Sequence, residues 1–214
     1  RLSLPDRVSL STEDFELHGH SPSHHNRRNL LFHSHTPQPP RPPSLPPSPP
    51  HNPWPPAMPL PAGSMLVTLA ELRERLLGMQ QNGSFVLLPG RHSIDGEPLV
   101  VLASCSVKIF GSEQGPVTID GQGRSRLLDV YGSLELSGVH LTGGVADKGG
   151  ALYAHEGSRV VLRAVLISDC KAVSSSAAYG GALFAEGASL EVAGSLISGC
   201  SASATGDGFA AGGG

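Results

Sequence analysis

The chain repeats itself with a period near 30 residues, and this repeat constrains its fold more than any other feature. Gly149-Gly150-Ala151-Leu152 recurs as Gly180-Gly181-Ala182-Leu183. The segment LISDC, which ends at Cys170, recurs as LISGC, which ends at Cys200. Self-similarity at a fixed period of roughly 20 to 50 residues is typical of proteins built from stacked repeats. The sequence therefore predicts an array of similar units.

Each unit contains three short strands and no helix. Strand-length segments of alternating apolar residues are separated by glycine-rich turns, which redirect the chain after every strand. The strands therefore pair with the next unit rather than with one another, and each coil advances by roughly 4.8 Å. We predict an all-β fold, a triangular parallel β-helix. An antiparallel sandwich of the same short strands is the less favoured alternative.

The repeat also predicts which side chains face inward. Alternation along the strands places two columns of residues in the core, one of leucines and one of smaller residues beside it. The predicted columns are Leu128, Leu152 and Leu183, and Val130, Ala154 and Ala185.

An amphipathic helix is predicted before the coils. Thr68 and Glu71 have the spacing of a capping box, in which each side chain satisfies a free amide of the first helical turn. An apolar face follows, and Asn82-Gly83 supplies a stop signal. The residues of that face are Leu69, Leu72, Leu76 and Met79. We expect the helix to cover the first coil, whose apolar residues and strand edges would otherwise meet water.

The motifs GGALYA, GGALFA, LISDC, LISGC and VTIDGQG resemble those of right-handed β-helix proteins of the pectate-lyase-like type. They are most similar to the repeats of polymorphic outer-membrane proteins. The resemblance covers about residues 66–214 and implies a right-handed parallel β-helix. It also implies, by analogy, an extracellular or cell-surface location. Cys170 and Cys200 stand where that group usually has asparagine.

The composition divides the chain in two. Of 19 prolines, 14 lie between Pro37 and Pro61. We predict that residues 1–63 are a disordered, proline-rich spacer, because such a tract builds no core. A PxxP ligand for aromatic-grooved domains is the alternative for this segment. Residues 64–214 are predicted to be the N-terminal part of a β-helix domain that continues further, so the remaining coils of its own chain are expected partners.

Charge and cysteine content restrict the partners. The net charge is −3 with both signs interspersed, so we expect no nucleic-acid partner. No window approaches the roughly 18 apolar residues of a spanning helix, so no membrane-spanning segment is expected. Three cysteines are too few for a disulfide scaffold. Cys170 and Cys200 should stack as buried thiols rather than form a disulfide, because stacked columns keep their Cα–Cβ bonds parallel.

A search for paired catalytic groups predicts no catalytic, metal or cofactor-binding residue. Glu156 and Glu186 both precede a turn glycine on adjacent coils, but no basic residue recurs beside both, so solvated turn residues are the favoured interpretation. The pair Glu135 and Glu191 is separated by Val161. Asp120 is expected to be a turn residue. His140 and His155 occupy non-equivalent positions and should form no dyad.

The sequence favours a non-catalytic, extracellular or surface β-helix repeat protein. Its flat sheet faces would bind a carbohydrate or protein ligand, as in an adhesin. The alternative is a polysaccharide lyase or glycoside hydrolase whose catalytic coils lie outside this chain. A third hypothesis is a scaffold whose PPSLPPSPP tract recruits partner domains.

Overall fold

A computed structural model describes residues 62–205 and 208–212. Within them the chain forms a parallel β-solenoid of about five turns with one short helix. Every strand pair is parallel, as predicted from the repeat, and the antiparallel sandwich is excluded for this part of the chain. The predicted disordered spacer of residues 1–63 lies outside the described residues, apart from its last two.

Three long sheets form the sides of the solenoid. Sheet 1 contains β1 (Met65–Val67), β2 (Gly83–Leu87), β5 (Ser106–Gly111), β8 (Ser133–Ser137), β12 (Arg159–Arg163) and β17 (Ser189–Ala193). Sheet 2 contains β3 (Gly90–Ser93), β6 (Val117–Asp120), β9 (His140–Thr142), β13 (Leu166–Ser168) and β18 (Leu196–Ser198). Sheet 3 contains β4 (Leu99–Val101), β7 (Leu128–Val130), β11 (Leu152–Ala154) and β16 (Leu183–Ala185).

Two short sheets join the later turns. Sheet 4 contains β10 (Val145–Ala146), β14 (Lys171–Ser174) and β19 (Ser201–Ala204). Sheet 5 contains β15 (Ala177–Tyr179) and β20 (Phe209–Ala211). The later coils therefore contain more strands than the three-strand unit that the sequence predicted.

The predicted inward columns are confirmed by the register of sheet 3. Leu152 pairs with Leu128 on one side and with Leu183 on the other. Leu128 and Leu152 are fully buried, as are the neighbouring Val130 and Ala154. Ala185 keeps the register but is exposed, because β16 is the last strand of this sheet among the described residues.

The backbone geometry requires glycine at each of the two glycine positions of the GGAL motif. Gly149 and Gly180 both have φ +57°, in the left-handed region that favours glycine. Gly150 and Gly181 have ordinary φ values but no space, since a Cβ on Gly150 would lie 2.5 Å from the Lys171 carbonyl oxygen. The two glycines therefore serve different purposes, one for chain reversal and one for close packing between coils.

The helix α1 (Leu69–Gly78) begins where the sequence predicts and ends earlier. Thr68 and Glu71 form the predicted capping box. Three residues of the predicted apolar face, Leu69, Leu72 and Leu76, are buried in the same core as the coils. Met79 is a helix cap with extended backbone rather than a helical residue, because helix propensity drops at Gly78.

The cysteines follow the prediction of buried thiols. Cys105, Cys170 and Cys200 are all free and buried. Cys170 and Cys200 stack on adjacent coils, where the Cys170 amide donates to Cys200 Sγ at 3.4 Å. Burial raises the pKa of the Cys170 thiol to about 12. This thiol is therefore inert at neutral pH.

Candidate ligand-binding face

The outer side of sheet 3 carries a row of aromatic rings. Because side chains alternate along a strand, the inward columns place Asp129, Tyr153 and Phe184 outward and in register. The next outward positions, two residues further along, are Tyr131 and His155. Sheet 5 adds Tyr179 and Phe209 beside them. We call this set the aromatic face: Tyr131, Tyr153, His155, Tyr179, Phe184 and Phe209.

The rings form a continuous chain of contacts. The His155 ring lies between two tyrosines, with its centroid 3.9 Å from that of Tyr131 and 3.8 Å from that of Tyr153. The Tyr153 and Phe184 centroids are 5.3 Å apart and tilted by 60°, an edge-to-face arrangement. Tyr131 and Phe209, at the two ends, are 43% and 63% exposed. The rings at the two ends of the row are therefore more exposed than the rings between them.

A half-buried ion pair supports the centre of this face. The Arg126 guanidinium donates to Asp129 Oδ1 at 2.6 Å, and both side chains are largely shielded from solvent. His155 Nε2 lies 3.1 Å from the same oxygen. Arg126 Cζ is 4.9 Å from the Tyr153 ring centroid, a cation–π contact. Arg126 also donates to the carbonyl oxygens of Lys148 and Gly149, which anchors the turn before β11.

A second ion pair, Lys148 and Glu186, borders the Tyr153 and Phe184 rings. Lys148 Nζ lies 3.5 Å from Glu186 Oε2 and 5.1 Å from the Phe184 centroid. The Tyr153 hydroxyl donates to the same Glu186 carboxylate. This hydrogen bond raises the pKa of Tyr153 to about 12 and, together with Lys148, lowers the pKa of Glu186. At neutral pH the tyrosine is therefore protonated and the glutamate ionised.

Glu156 and Glu186 are not opposite one another in the structure, although the sequence alignment made them equivalent. Alignment on the turn glycine made the two equivalent, but the β11–β16 register places Glu186 opposite His155. Glu156 instead lies against Gly187. The reason is that the turn after β11 is one residue longer than the turn after β16, with His155 as the additional residue. Among the described residues Lys148 contacts Glu186, and no ion pair joins it to Glu156.

The other sequence candidates lie elsewhere. Glu135 and Glu191 flank Val161 on sheet 1, as predicted. Asp120 was predicted to be a turn residue, but it is the last residue of β6, and its carboxylate accepts hydrogen bonds from the Gln122 amide in the turn that follows and from Arg91. His140 belongs to sheet 2 and bonds Ser168, so it forms no dyad with His155.

Sequence reasoning missed Arg126, Asp129, Lys148 and Tyr153. They come from turns and strands up to 27 positions apart in the chain (126 to 153), and only the stacking of coils brings them together. The available signal was the middle residue of the Leu-x-Val and Leu-x-Ala segments, because an inward leucine implies an outward neighbour.

Among residues 62–205 and 208–212, no three histidine, cysteine or acidic side chains are grouped closely enough to hold a metal ion. In the same part of the chain, no helix has the length and apolar content needed to span a bilayer.

Comparison with known proteins found no matching family model, curated protein or solved structure.

Proposed function

We propose that this protein is a non-catalytic β-helix repeat protein that binds carbohydrate on its aromatic face. The continuous row of rings across successive coils is the observation that carries the proposal. The motif resemblance to pectate-lyase-like and polymorphic outer-membrane proteins agrees with it and favours an extracellular or surface setting. An adhesive role follows from such binding.

The chemistry of the face suits a sugar. The electron-rich surface of an aromatic ring attracts the weakly positive C–H groups on the apolar side of a pyranose. Tyr131 and Phe209 offer exposed ring area for this contact. Lys148, Glu186 and the Tyr153 hydroxyl supply donors and acceptors for sugar hydroxyls. The rings project from a hydrogen-bonded sheet, so little conformational entropy is lost on binding.

The acid–base groups argue against catalysis. Glycoside hydrolysis needs a carboxylic acid that stays protonated near neutral pH, which requires a raised pKa. The pKa of Glu186 is lowered instead. A tyrosine base needs a lowered pKa, whereas that of Tyr153 rises to about 12. Asp129 is held by Arg126 as an ion pair. These groups stabilise one another rather than a reacting sugar.

A lyase or hydrolase is the second candidate, and one arrangement favours it. Asp129 and Arg126 from one coil meet His155 from the next, so a carboxylate, a cation and an imidazole share one face. Polysaccharide cleavage uses groups of these types.

Affinity electrophoresis against soluble plant and bacterial polysaccharides tests the binding proposal. For any polysaccharide that retards the protein, Tyr131→Ala should weaken binding about tenfold, the loss of roughly one aromatic contact. Leu66→Ala removes an apolar side chain of comparable exposure, 54% against 43% for Tyr131, from sheet 1 and is the matched control. Unchanged retardation of Tyr131→Ala, or equal losses in both variants, would contradict the proposal.

Release of reducing or unsaturated sugar ends tests the second candidate. We expect none, with or without calcium. Activity that disappears in Asp129→Asn, Glu156→Gln or Glu186→Gln would replace the binding proposal with an enzymatic one.

A further inference from the structure

The connection between α1 and β2 carries a motif that neither the fold nor the aromatic face uses. Asn82, Gly83 and Ser84 form the sequence Asn-X-Ser, in which X is not proline. This is the acceptor motif for N-linked oligosaccharides in secreted proteins. The chain has four asparagines, and Asn82 alone lies in such a motif. The sequence therefore offers one position for this modification.

Asn82 has no conformational role in the structure. The sequence predicts a helix stop at Asn82-Gly83, but α1 ends at Gly78, and Met79 is its cap. Asparagine and glycine are favoured in turns where φ is positive. Neither Asn82 nor Gly83 is among the described residues with positive φ. The backbone of this turn therefore does not account for the asparagine.

The Asn82 side chain projects into solvent. Asn82 is exposed, as are the preceding Gln80 and Gln81. Within residues 62–205 and 208–212, the side-chain amide of Asn82 has no hydrogen-bond partner. A large hydrophilic group on Asn82 Nδ2 would therefore meet water and leave the core unchanged.

The other two residues of the motif have local contacts in the folded chain. A Cβ on Gly83 would lie 2.7 Å from the Phe85 ring, so glycine leaves room for that ring. Ser84 Oγ lies 2.8 Å from Ser64 Oγ. The Ser84 hydroxyl thus has a structural partner, and a control at Ser64 can separate that contact from an acceptor role.

We propose that Asn82 is the attachment site of an N-linked oligosaccharide. The proposal rests on the extracellular setting proposed above, because the modification belongs to secreted proteins. In the transfer, Asn82 Nδ2 bonds to the anomeric carbon of an oligosaccharide carried on a polyprenyl diphosphate. The bond from that carbon to the phosphate oxygen breaks, the diphosphate leaves with the electron pair, and the amide loses one proton. The step involves no oxidation or reduction.

The motif is most accessible before the solenoid forms. Ser84 belongs to β2, which pairs with β1 on one side and with β5 on the other. The chain is synthesised from its N-terminus, so β2 emerges before β5 and is unpaired on that side. We therefore expect transfer to the growing chain, and the test uses cells that secrete the protein.

Secretion of the full chain from cultured eukaryotic cells, behind an added cleavable signal peptide, tests the site. We expect a slowly migrating band that peptide N-glycosidase F converts to the mobility of the unmodified chain. That enzyme turns the glycosylated asparagine into aspartate, so mass spectrometry should show this conversion at Asn82. A secreted chain with no such band, or a band that persists in Asn82→Gln, would overturn the proposal.

Substitutions within and beside the motif define the acceptor. Ser84→Ala should abolish the shifted band, whereas Ser84→Thr keeps the hydroxyl and should retain it. Ser64→Ala removes the same hydrogen bond from its other side and should also retain the band. Equal loss in Ser64→Ala and Ser84→Ala would show an effect of folding and overturn the acceptor role. Because Asn82 is exposed, Asn82→Gln should keep the wild-type melting temperature.

The Asn82 site and the aromatic face can fail independently. Asn82 precedes a strand of sheet 1, whereas the aromatic face belongs to sheets 3 and 5. Asn82→Gln should therefore keep wild-type retardation by polysaccharide, and Tyr131→Ala should keep the shifted band. An unmodified chain isolated from its own cells would also overturn the proposal. If the chain secreted from the cultured cells is modified, that result would refute the extracellular setting and not polysaccharide binding.

Discussion

Replacing Leu152 with alanine should be among the most damaging single changes in the solenoid. Leu152 is fully buried at the centre of the sheet 3 column, with Leu128 and Leu183 in register on either side. Leucine-to-alanine changes in packed cores cost about 2.7 to 5 kcal/mol, and the cost rises when the cavity cannot collapse. Paired strands on both sides hold the backbone of β11 in place. We therefore expect Leu152→Ala to lower the free energy of unfolding by about 3 to 4 kcal/mol.

Urea denaturation followed by circular dichroism measures this loss. The same change at Leu183 provides the comparison, because Leu183 belongs to the same column but is partly exposed on the last strand of the sheet. Leu183→Ala should lower the free energy of unfolding by about 1 to 2 kcal/mol, since less buried surface is lost. A loss below about 1 kcal/mol for Leu152→Ala would refute the inward column. A larger loss at Leu183 than at Leu152 would refute the order of the strands.

Three further predictions concern the thiols, the glycines and the helix. Burial raises the pKa of the Cys170 thiol to about 12 in the folded chain, so its contribution to stability should be complete below the pKa of an unfolded thiol and fall by about 1.4 kcal/mol per pH unit as pH rises toward 12. Cys170→Ala should reduce this slope in alkaline denaturation curves, and the Tyr153 hydroxyl, whose pKa is also raised to about 12, accounts for part of the slope that remains. Gly150→Ala should cost about 1 to 3 kcal/mol in urea, because its Cβ would meet the Lys171 backbone, and a neutral result would contradict the close packing of coils. Thr68→Ala should lower the unfolding free energy by about 1 kcal/mol through loss of the helix cap, and an unchanged melting temperature would show that the cap contributes nothing.

The parallel pairing of coils was predictable because the repeat encodes it directly. Leu128, Leu152 and Leu183 occur at equivalent points of successive units, and identical positions of a stacked repeat face the same way. The helix was equally predictable, since a capping box and an apolar face are local signals. The end of the helix was not predictable, because Met79 has the spacing of the apolar face and packs against the core, but it lies outside the helix as its C-cap residue.

The pairing of acidic residues was harder to predict. Turns vary in length between coils, so an alignment on glycines and the true strand register differ by one residue at Glu156 and Glu186. A shift of that size changes every neighbour of an outward side chain. The stacking of Cys170 on Cys200 was predictable, because LISDC and LISGC have identical lengths and their strands are in register.

By itself the sequence determined the architecture, because strand alternation, glycine positions and helix capping each depend on residues close together in the chain. It also determined which residues are inward. Only the tertiary structure decided which outward residues meet. The contacts of Arg126 with Asp129, of His155 with both tyrosines and of Lys148 with Glu186 depend on turn lengths and on rotamers chosen across coils. A surface site on a solenoid is assembled between repeats, and no single repeat contains the information that specifies it.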